Sequence, residues 1–162
     1  MIPIPNPLHP AIVHFPIVLI LLGALVAVLA AIIRRWHLPW LVVFLMVFGA
    51  LGAAVASRTG AQQAEMAGEI SARAEALLDQ HEEWGELTRN LAVVTAILAL
   101  ASASLPRFPK TAHGLAIATA IAASSAAFAV AQTGHIGGQL VYKHGIGINT
   151  AAGNPPTTRP SD

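Results

Sequence analysis

The stretch AIVHFPIVLILLGALVAVLAAII, from Ala11 to Ile33, contains 23 residues and no aspartate, glutamate, lysine or arginine. At about 1.5 Å per residue, a helix of this length is about 34 Å long, which is enough to cross a hydrocarbon core of about 30 Å. The stretch therefore predicts a transmembrane helix.

Three further apolar stretches predict three more spans, at about residues 38–57, 84–105 and 111–133. The helical pattern of the third continues backwards through His81 and Leu77, so this helix is expected to begin outside the bilayer. The fourth is expected to stop at Gly134, and a short amphipathic extension should follow it. We therefore expect an all-α, four-helix transmembrane bundle over residues 1–153, with a disordered Pro-rich tail over 154–162.

The composition supports a membrane protein. Charged residues make up 10% of the chain and hydrophobic residues 55%, whereas soluble domains carry about 25% charged residues. The chain has no cysteine, which excludes disulfides, thiolate metal sites and covalently attached haem. The net charge of +1 gives no reason to expect nucleic acid. No lysine or arginine precedes the first span, so we expect that span to be retained.

The orientation follows from the cationic loops. The two short connections carry Arg34, Arg35, Arg107 and Lys110 without an acid, whereas residues 58–90 contain seven acids. Cationic loops stay in the cytoplasm. Both termini are therefore expected outside.

Most histidines fall at one membrane face in this topology. Those at the outer face are His9, His14, His81, His135 and His144, while His37 and His113 lie at the other. An ionisable residue in or beside a span is costly without a partner, which favours a functional site. The alternative is that each histidine lies in the wet interfacial layer and binds nothing.

Two local patterns each leave two interpretations open. If the first helix begins near Pro10, Pro16 kinks it beside His14, and otherwise Pro16 marks the helix start. The segment GGQLVYKHGIG, residues 137–147, suits a backbone bent closely over a flat group, a helix that ends with Gly145 as its cap, or both together.

Two motifs carry a family resemblance: LHPAIVHFP at residues 8–16 and LVYKHGIG at residues 140–147. They resemble the bacterial membrane proteins grouped as domain of unknown function 2231. That family has four spans, a Thr-Gly after the second, a histidine before the third and a GGxLVYxHGxG ending. Thr59-Gly60, His81 and Gly137-Gly138 fill these places here. The resemblance implies a multi-pass protein of the bacterial inner (cytoplasmic) membrane, and the cationic loops then predict that both termini are periplasmic or extracellular.

The resemblance also implies redox work, because family members are fused to or encoded with cytochrome-like modules. The preferred hypothesis is a membrane-anchored, b-type cytochrome-like electron-transfer protein with one or two non-covalent haems near the outer face. The expected axial ligands are His14 and His81, with a second pair from His9 and His144.

The expected surroundings of the haem come from the same end of the bundle. Arg58 and Arg89 are the candidate partners of the propionates, and Gly137, Gly138 and Tyr142 are the candidate residues that lie against the macrocycle. The first alternative is a zinc or copper site built from the same four histidines. The second is a structural or assembly subunit without a cofactor.

The expected partners are the lipid bilayer and a redox protein or a quinone, and a homo-oligomer is compatible with the sequence. The sequence contains no GxSxG, HExxH, phosphate-binding loop or dinucleotide fingerprint. An electron-transfer or binding subunit is therefore favoured over an enzyme.

Overall fold

The computed structural model of the chain describes residues 9–33, Arg35, residues 37–66 and residues 70–146. All regular secondary structure in this part of the chain is helical. The tail predicted over residues 154–162 lies outside the described residues. The helices are α1 (His9–Ile12), α2 (His14–Ile33), α3 (Leu38–Met66), α4 (Ala72–Ser104) and α5 (Pro109–His144).

The four predicted spans are confirmed as four helices that are long and apolar enough to cross a membrane: His9–Ile33, Leu38–Glu65, Ala72–Ser104 and Pro109–His144. Large apolar side chains cover the outside of the bundle, among them Val18, Leu25 and Ile32, which are 58%, 58% and 70% exposed. An apolar surface this continuous is stable against lipid and not against water. The helices therefore belong in a bilayer.

The helices pack in a closed ring, in which α2 lies beside α3, α3 beside α4, α4 beside α5, and α5 beside α2. Neighbouring helices run antiparallel. Ser102, near the end of α4, donates to the carbonyl of Ala112, near the start of α5, at 2.9 Å. This order places the N-terminal ends of α2 and α4 at the same end of the bundle, together with the C-terminal ends of α3 and α5.

Small residues allow α2 and α3 to approach closely. A Cβ added to Gly23 would lie 2.8 Å from Cε of Met46, and a Cβ added to Gly49 would lie 2.9 Å from Cγ1 of Ile20. Ile20 and Met46 are fully buried. Van der Waals contact of this kind holds helices together in lipid, where hydrophobicity cannot. Gly114 of α5 differs, because nothing lies within 4 Å of its added Cβ.

Hydroxyl groups in the core find acceptors within the helices. Thr95 and Thr119 are buried, and each donates to the carbonyl four residues earlier, at 2.7 Å. Such a bond removes the cost of a bare hydroxyl in an apolar interior. The bundle therefore tolerates polar core positions without an ion pair.

Three helices continue past the predicted ends of their spans. The extension of the third is confirmed: α4 begins at Ala72, where Ser71 caps it by accepting from the amide of Ala74. The second continues from residue 57 to Met66. The fourth was expected to stop at Gly134, but α5 passes through it, because packing against α4 outweighs the cost of about 1 kcal/mol for glycine in a helix.

The C-terminal extension forms the last turns of α5. Gly145 ends the helix in the left-handed conformation, with φ of 66°, and its amide donates to the carbonyl of Val141 at 3.0 Å. Ile146 donates to the carbonyl of Leu140 at 3.1 Å. Glycine tolerates this φ without a Cβ clash. The capping interpretation of Gly145 is therefore confirmed.

Candidate functional site

His9 lies on α1 and reaches across to the C-terminal part of α3. Its Nδ1 lies 2.9 Å from the carbonyl oxygen of Ala56 and 3.2 Å from Oγ1 of Thr59. A carbonyl oxygen only accepts, so Nδ1 carries the hydrogen and donates it. The half-buried ring lies over Gly60, where an added Cβ would be 3.0 Å from Cε1.

His81 lies on α4 and reaches across to the C-terminal part of α5. Its Nδ1 donates to the carbonyl oxygen of Thr133 at 3.0 Å, and its ring is half-buried. Gly137 lies beneath the ring, where an added Cβ would be 2.9 Å from Cε1. The contact with Gly137 explains why this predicted site residue is a glycine.

The two imidazoles lie next to each other at the end of the bundle. Their ring centroids are 6.3 Å apart and their planes form an angle of 82°. Because both Nδ1 atoms donate to carbonyl oxygens, a neutral ring in either position has its lone pair on Nε2. The site thus offers two oriented imidazole donors, each with its tautomer set by the backbone.

The helix break after Ile12 separates His9 from α2. Pro16 has no amide hydrogen to donate to the carbonyl of Ile12, and the helix is interrupted at Val13 between α1 and α2. Pro16 itself is buried, and its Cδ would lie 3.2 Å from a Cβ added at Gly52. Of the two interpretations of Pro16, the structure shows the kinked helix.

His14 lies apart from the ring contact. Its side chain is exposed, and its Nδ1 donates to the carbonyl oxygen of Pro10, four residues earlier, at 2.8 Å. The sequence predicts His14 and His81 as one pair of ligands, whereas in the structure the ring of His81 contacts the ring of His9. His14 follows His9 by five residues, which places the two side chains on different faces of the helix, and His14 lies on the exposed face.

The remaining predicted residues of the C-terminal motif lie along the last turns of α5. His144 is half-buried in the last turn, and Tyr142 is 91% exposed. An added Cβ at Gly138 would meet nothing within 4 Å, unlike one at Gly137. Gly137 is therefore the member of this motif that the structure brings into contact with a site histidine.

The two arginines predicted to bind propionates lie on the same helices as the histidine contacts. Arg58 is exposed on α3, one residue before Thr59. Arg89, on α4, forms an ion pair with Glu86 at 3.6 Å. An exposed pair of this kind contributes little, so the side chain of Arg89 can exchange partners at small cost.

The other histidines lie away from the pair. His135 and His37 are exposed, and His113 is half-buried near the start of α5, at the opposite end of the bundle. Within residues 9–33, 35, 37–66 and 70–146, no group of three or more His, Cys, Asp and Glu side chains could hold a metal ion. The tetrahedral shell of four histidines, expected as an alternative, is therefore not formed by the described residues.

Sequence reasoning missed the backbone part of the site, which consists of the carbonyls of Ala56 and Thr133. A signal was present, because each carbonyl precedes a glycine by four residues, at Gly60 and Gly137. Glycine in the middle of a helix is unfavourable unless packing requires it. Two such glycines near the ends of the second and fourth helices could have indicated where side chains from other helices dock.

Comparison with known proteins yields one match. A family described as "Predicted membrane protein (DUF2231)" matches residues 5–150. No curated protein and no solved structure matches the chain. The matched range covers all five helices and both histidines of the ring contact.

Proposed function

We propose that this chain, which belongs to the predicted membrane proteins of the DUF2231 family, is an electron-transfer protein that binds one b-type haem between His9 and His81. The observation that carries the proposal is the pair of imidazoles with centroids 6.3 Å apart, each donating from Nδ1 to a backbone carbonyl. The proposal keeps His81 as an axial ligand and replaces His14 with His9 as the other.

The spacing of the rings supports this assignment. A metal–imidazole bond is about 2 Å long and the ring centre lies about 1 Å behind the nitrogen, so two imidazoles on one ion have centroids about 6 Å apart. The observed 6.3 Å agrees with this value. Packed aromatic pairs have centroids about 4.5 to 7 Å apart, and 6.3 Å also lies in this range, so the distance gains its weight from the hydrogen bonds of the two rings.

The hydrogen bonds support it independently. A ligating histidine almost always donates its other ring N–H to a carboxylate, carbonyl or water, which fixes the tautomer and increases the basicity of the ligand. His9 and His81 both do so, to Ala56 and Thr133. In both neutral rings the lone pair that would bind a metal is therefore the one on Nε2.

The number of ligands favours haem over a bare ion. Zinc takes four protein ligands in structural sites and three in catalytic sites, and the described residues provide no group of three His, Cys, Asp or Glu side chains. Haem would need only one or two protein ligands, because the porphyrin itself binds the iron. Two imidazoles suffice for haem and fall short for zinc.

When bound, haem supplies one-electron chemistry by cycling between the ferric and ferrous states. His9 and His81 would hold the iron, and their two imidazoles would leave no coordination position open for oxygen chemistry. Arg58 and Arg89 remain the proposed partners of the propionates. The proposed redox partner is a protein or a quinone at the outer face of the bacterial inner membrane.

The test is the absorption spectrum of the purified full-length chain, produced with sufficient haem supply. We expect a low-spin b-type spectrum, sharpened by dithionite, with one haem per chain. A colourless protein that contains stoichiometric zinc or copper would contradict the haem assignment, and a protein that binds none of the three would favour a structural subunit.

A further inference from the structure

The two histidines are held by the same local arrangement on two different helices. Nδ1 of His9 donates to the carbonyl of Ala56, and Nδ1 of His81 donates to the carbonyl of Thr133. In each case the residue four positions after the carbonyl, whose amide is the carbonyl's partner within the helix, is a glycine: Gly60 follows Ala56, and Gly137 follows Thr133. In a helix, the Cα–Cβ bond tilts towards the N-terminus, over the preceding turn. A side chain at residue i+4 would therefore cover the carbonyl of residue i. We call this carbonyl and glycine together a histidine seat.

The burial pattern repeats with the spacing of the two histidines, which are 72 positions apart. Six buried positions of α2 have a buried counterpart on α4, 72 residues later. In α2 they are residues 16, 20, 23, 24, 27 and 30, and their counterparts in α4 are, in the same order, residues 88, 92, 95, 96, 99 and 102. The separation of His9 and His81 fixes this offset, so the agreement between the buried positions of α2 and α4 is evidence independent of the histidine seats.

A second offset relates α3 to α5. Gly60 and Gly137 are 77 positions apart, as are the carbonyls of Ala56 and Thr133. Four of the seven buried positions of α3, at residues 42, 46, 49 and 53, have buried counterparts 77 residues later, at 119, 123, 126 and 130. The second hairpin therefore shares most of the burial pattern of the first.

The packing of the helices has the corresponding symmetry. If α2 is exchanged with α4, and α3 with α5, every neighbour in the ring remains a neighbour. Helices α2 and α4 also run in the same direction, since His9 and His81 meet at one end of the bundle. An exchange of this kind corresponds to a two-fold axis along the bundle that passes between the two imidazoles.

We infer that the bundle consists of two equivalent helical hairpins, α1–α3 and α4–α5, and that Gly60 and Gly137 are equivalent positioning residues for His9 and His81. The seats differ in one detail, because Thr59 lies 3.2 Å from Nδ1 of His9, whereas Ile136 occupies the position 77 residues later. The site then receives one imidazole of the same tautomer from each hairpin. A ligand with two equivalent coordination positions on opposite sides suits such a site.

The inference concerns how the imidazoles are held, and it rests on the proposed function only for the identity of the ligand. It can therefore be tested in haem-free protein. The experiment is nitrogen NMR of the full-length chain with 15N-labelled histidine in lipid nanodiscs, with signals assigned through His9→Gln and His81→Gln. In the wild type we expect both rings to carry hydrogen on Nδ1. An Nε2–H tautomer in either ring would overturn the inference, whether or not haem binds.

Glycine variants test the seats themselves. Gly60→Ala should shift the ring signals of His9, and Gly137→Ala those of His81, while Gly134→Ala serves as control because nothing lies within 4 Å of its added Cβ. In haem-loaded protein, both seat variants should weaken haem retention by about 10- to 100-fold, and to a similar extent. Seat variants with wild-type histidine signals, or a loss confined to one seat, would contradict equivalence.

Failure of the inference about the seats can be distinguished from failure of the proposed haem binding. If no haem binds but each glycine variant shifts its own histidine, the seats stand and the proposed ligand is wrong. If haem binds to wild-type protein and both glycine variants retain it fully, the proposed function stands and the seats are wrong. The wild-type tautomers decide the inference even if a glycine variant fails to fold.

Discussion

The imidazoles of His9 and His81 lie edge to face with their centroids 6.3 Å apart, although one residue belongs to the first helix and the other to α4. Each ring is held from a different side, His9 by Ala56 of α3 and His81 by Thr133 of α5. Helices α1, α3, α4 and α5 therefore all contribute to this end of the bundle, either by carrying a histidine or by accepting its hydrogen bond.

Removal of either axial imidazole should abolish the low-spin haem spectrum. His9→Ala or His81→Ala leaves five-coordinate, high-spin iron or no haem, because no third imidazole replaces the lost ligand. His14→Ala should retain the low-spin spectrum, since its ring is exposed and bonded to Pro10. Absorption spectra and pyridine haemochrome content measure both effects.

His113→Ala is the matched control, because His113 lies at the opposite end of the bundle. Its haem content should equal that of the wild type. If His14→Ala loses the low-spin signal while His9→Ala keeps it, the original pairing of His14 with His81 is correct and the assignment of His9 is wrong.

The orientation can be measured directly, because the chain has no cysteine and each introduced cysteine is unique. Arg35→Cys should resist a membrane-impermeant maleimide in intact cells, as expected for a cationic cytoplasmic loop. Asp162→Cys should be labelled from outside. Labelling of Arg35→Cys alone would invert the topology and place the histidine pair at the inner face.

The close contact between α2 and α3 should make Gly49 sensitive to a single methyl group. Gly49→Ala places Cβ 2.9 Å from Cγ1 of the fully buried Ile20, which has no room to move aside. We expect a loss of about 1 to 3 kcal/mol in the free energy of unfolding. Thermal unfolding in detergent, followed by circular dichroism, measures the change.

Gly114→Ala is the control for this contact, because its added Cβ meets nothing within 4 Å. Alanine should stabilise the helix there by about 0.5 to 1 kcal/mol. Equal melting temperatures for the two variants would show that α2 and α3 do not pack closely at Gly49.

The hydrogen bond between α4 and α5 should contribute to stability. Ser102→Ala leaves the carbonyl of Ala112 without its cross-helix donor and should cost about 0.5 to 1.5 kcal/mol. Ser104→Ala is the matched control, because the exposed Ser104 bonds within its own helix, to the carbonyl of Leu100. A larger loss for Ser104→Ala than for Ser102→Ala would contradict the role of the cross-helix bond.

Much of the fold was predictable because a bilayer imposes strict requirements on a sequence. Hydrocarbon excludes charge and requires that every backbone group bond internally, so long uncharged stretches must be helices of known minimum length. The helix ends were less predictable. The C-terminal part of α5 continues through Gly134 because contacts with α4 compensate for the weak propensity of glycine, and no local pattern reports such contacts.

The sequence by itself determined the four spans and placed His9, His14 and His81 together at one end, because consecutive spans alternate in direction. Only the tertiary structure decided which imidazoles meet. That choice depends on which face of each helix is turned inward and on glycines that expose the carbonyls of Ala56 and Thr133 to another helix. The rotation of each helix about its axis follows from the packing of all four, and spacing along one helix does not specify it.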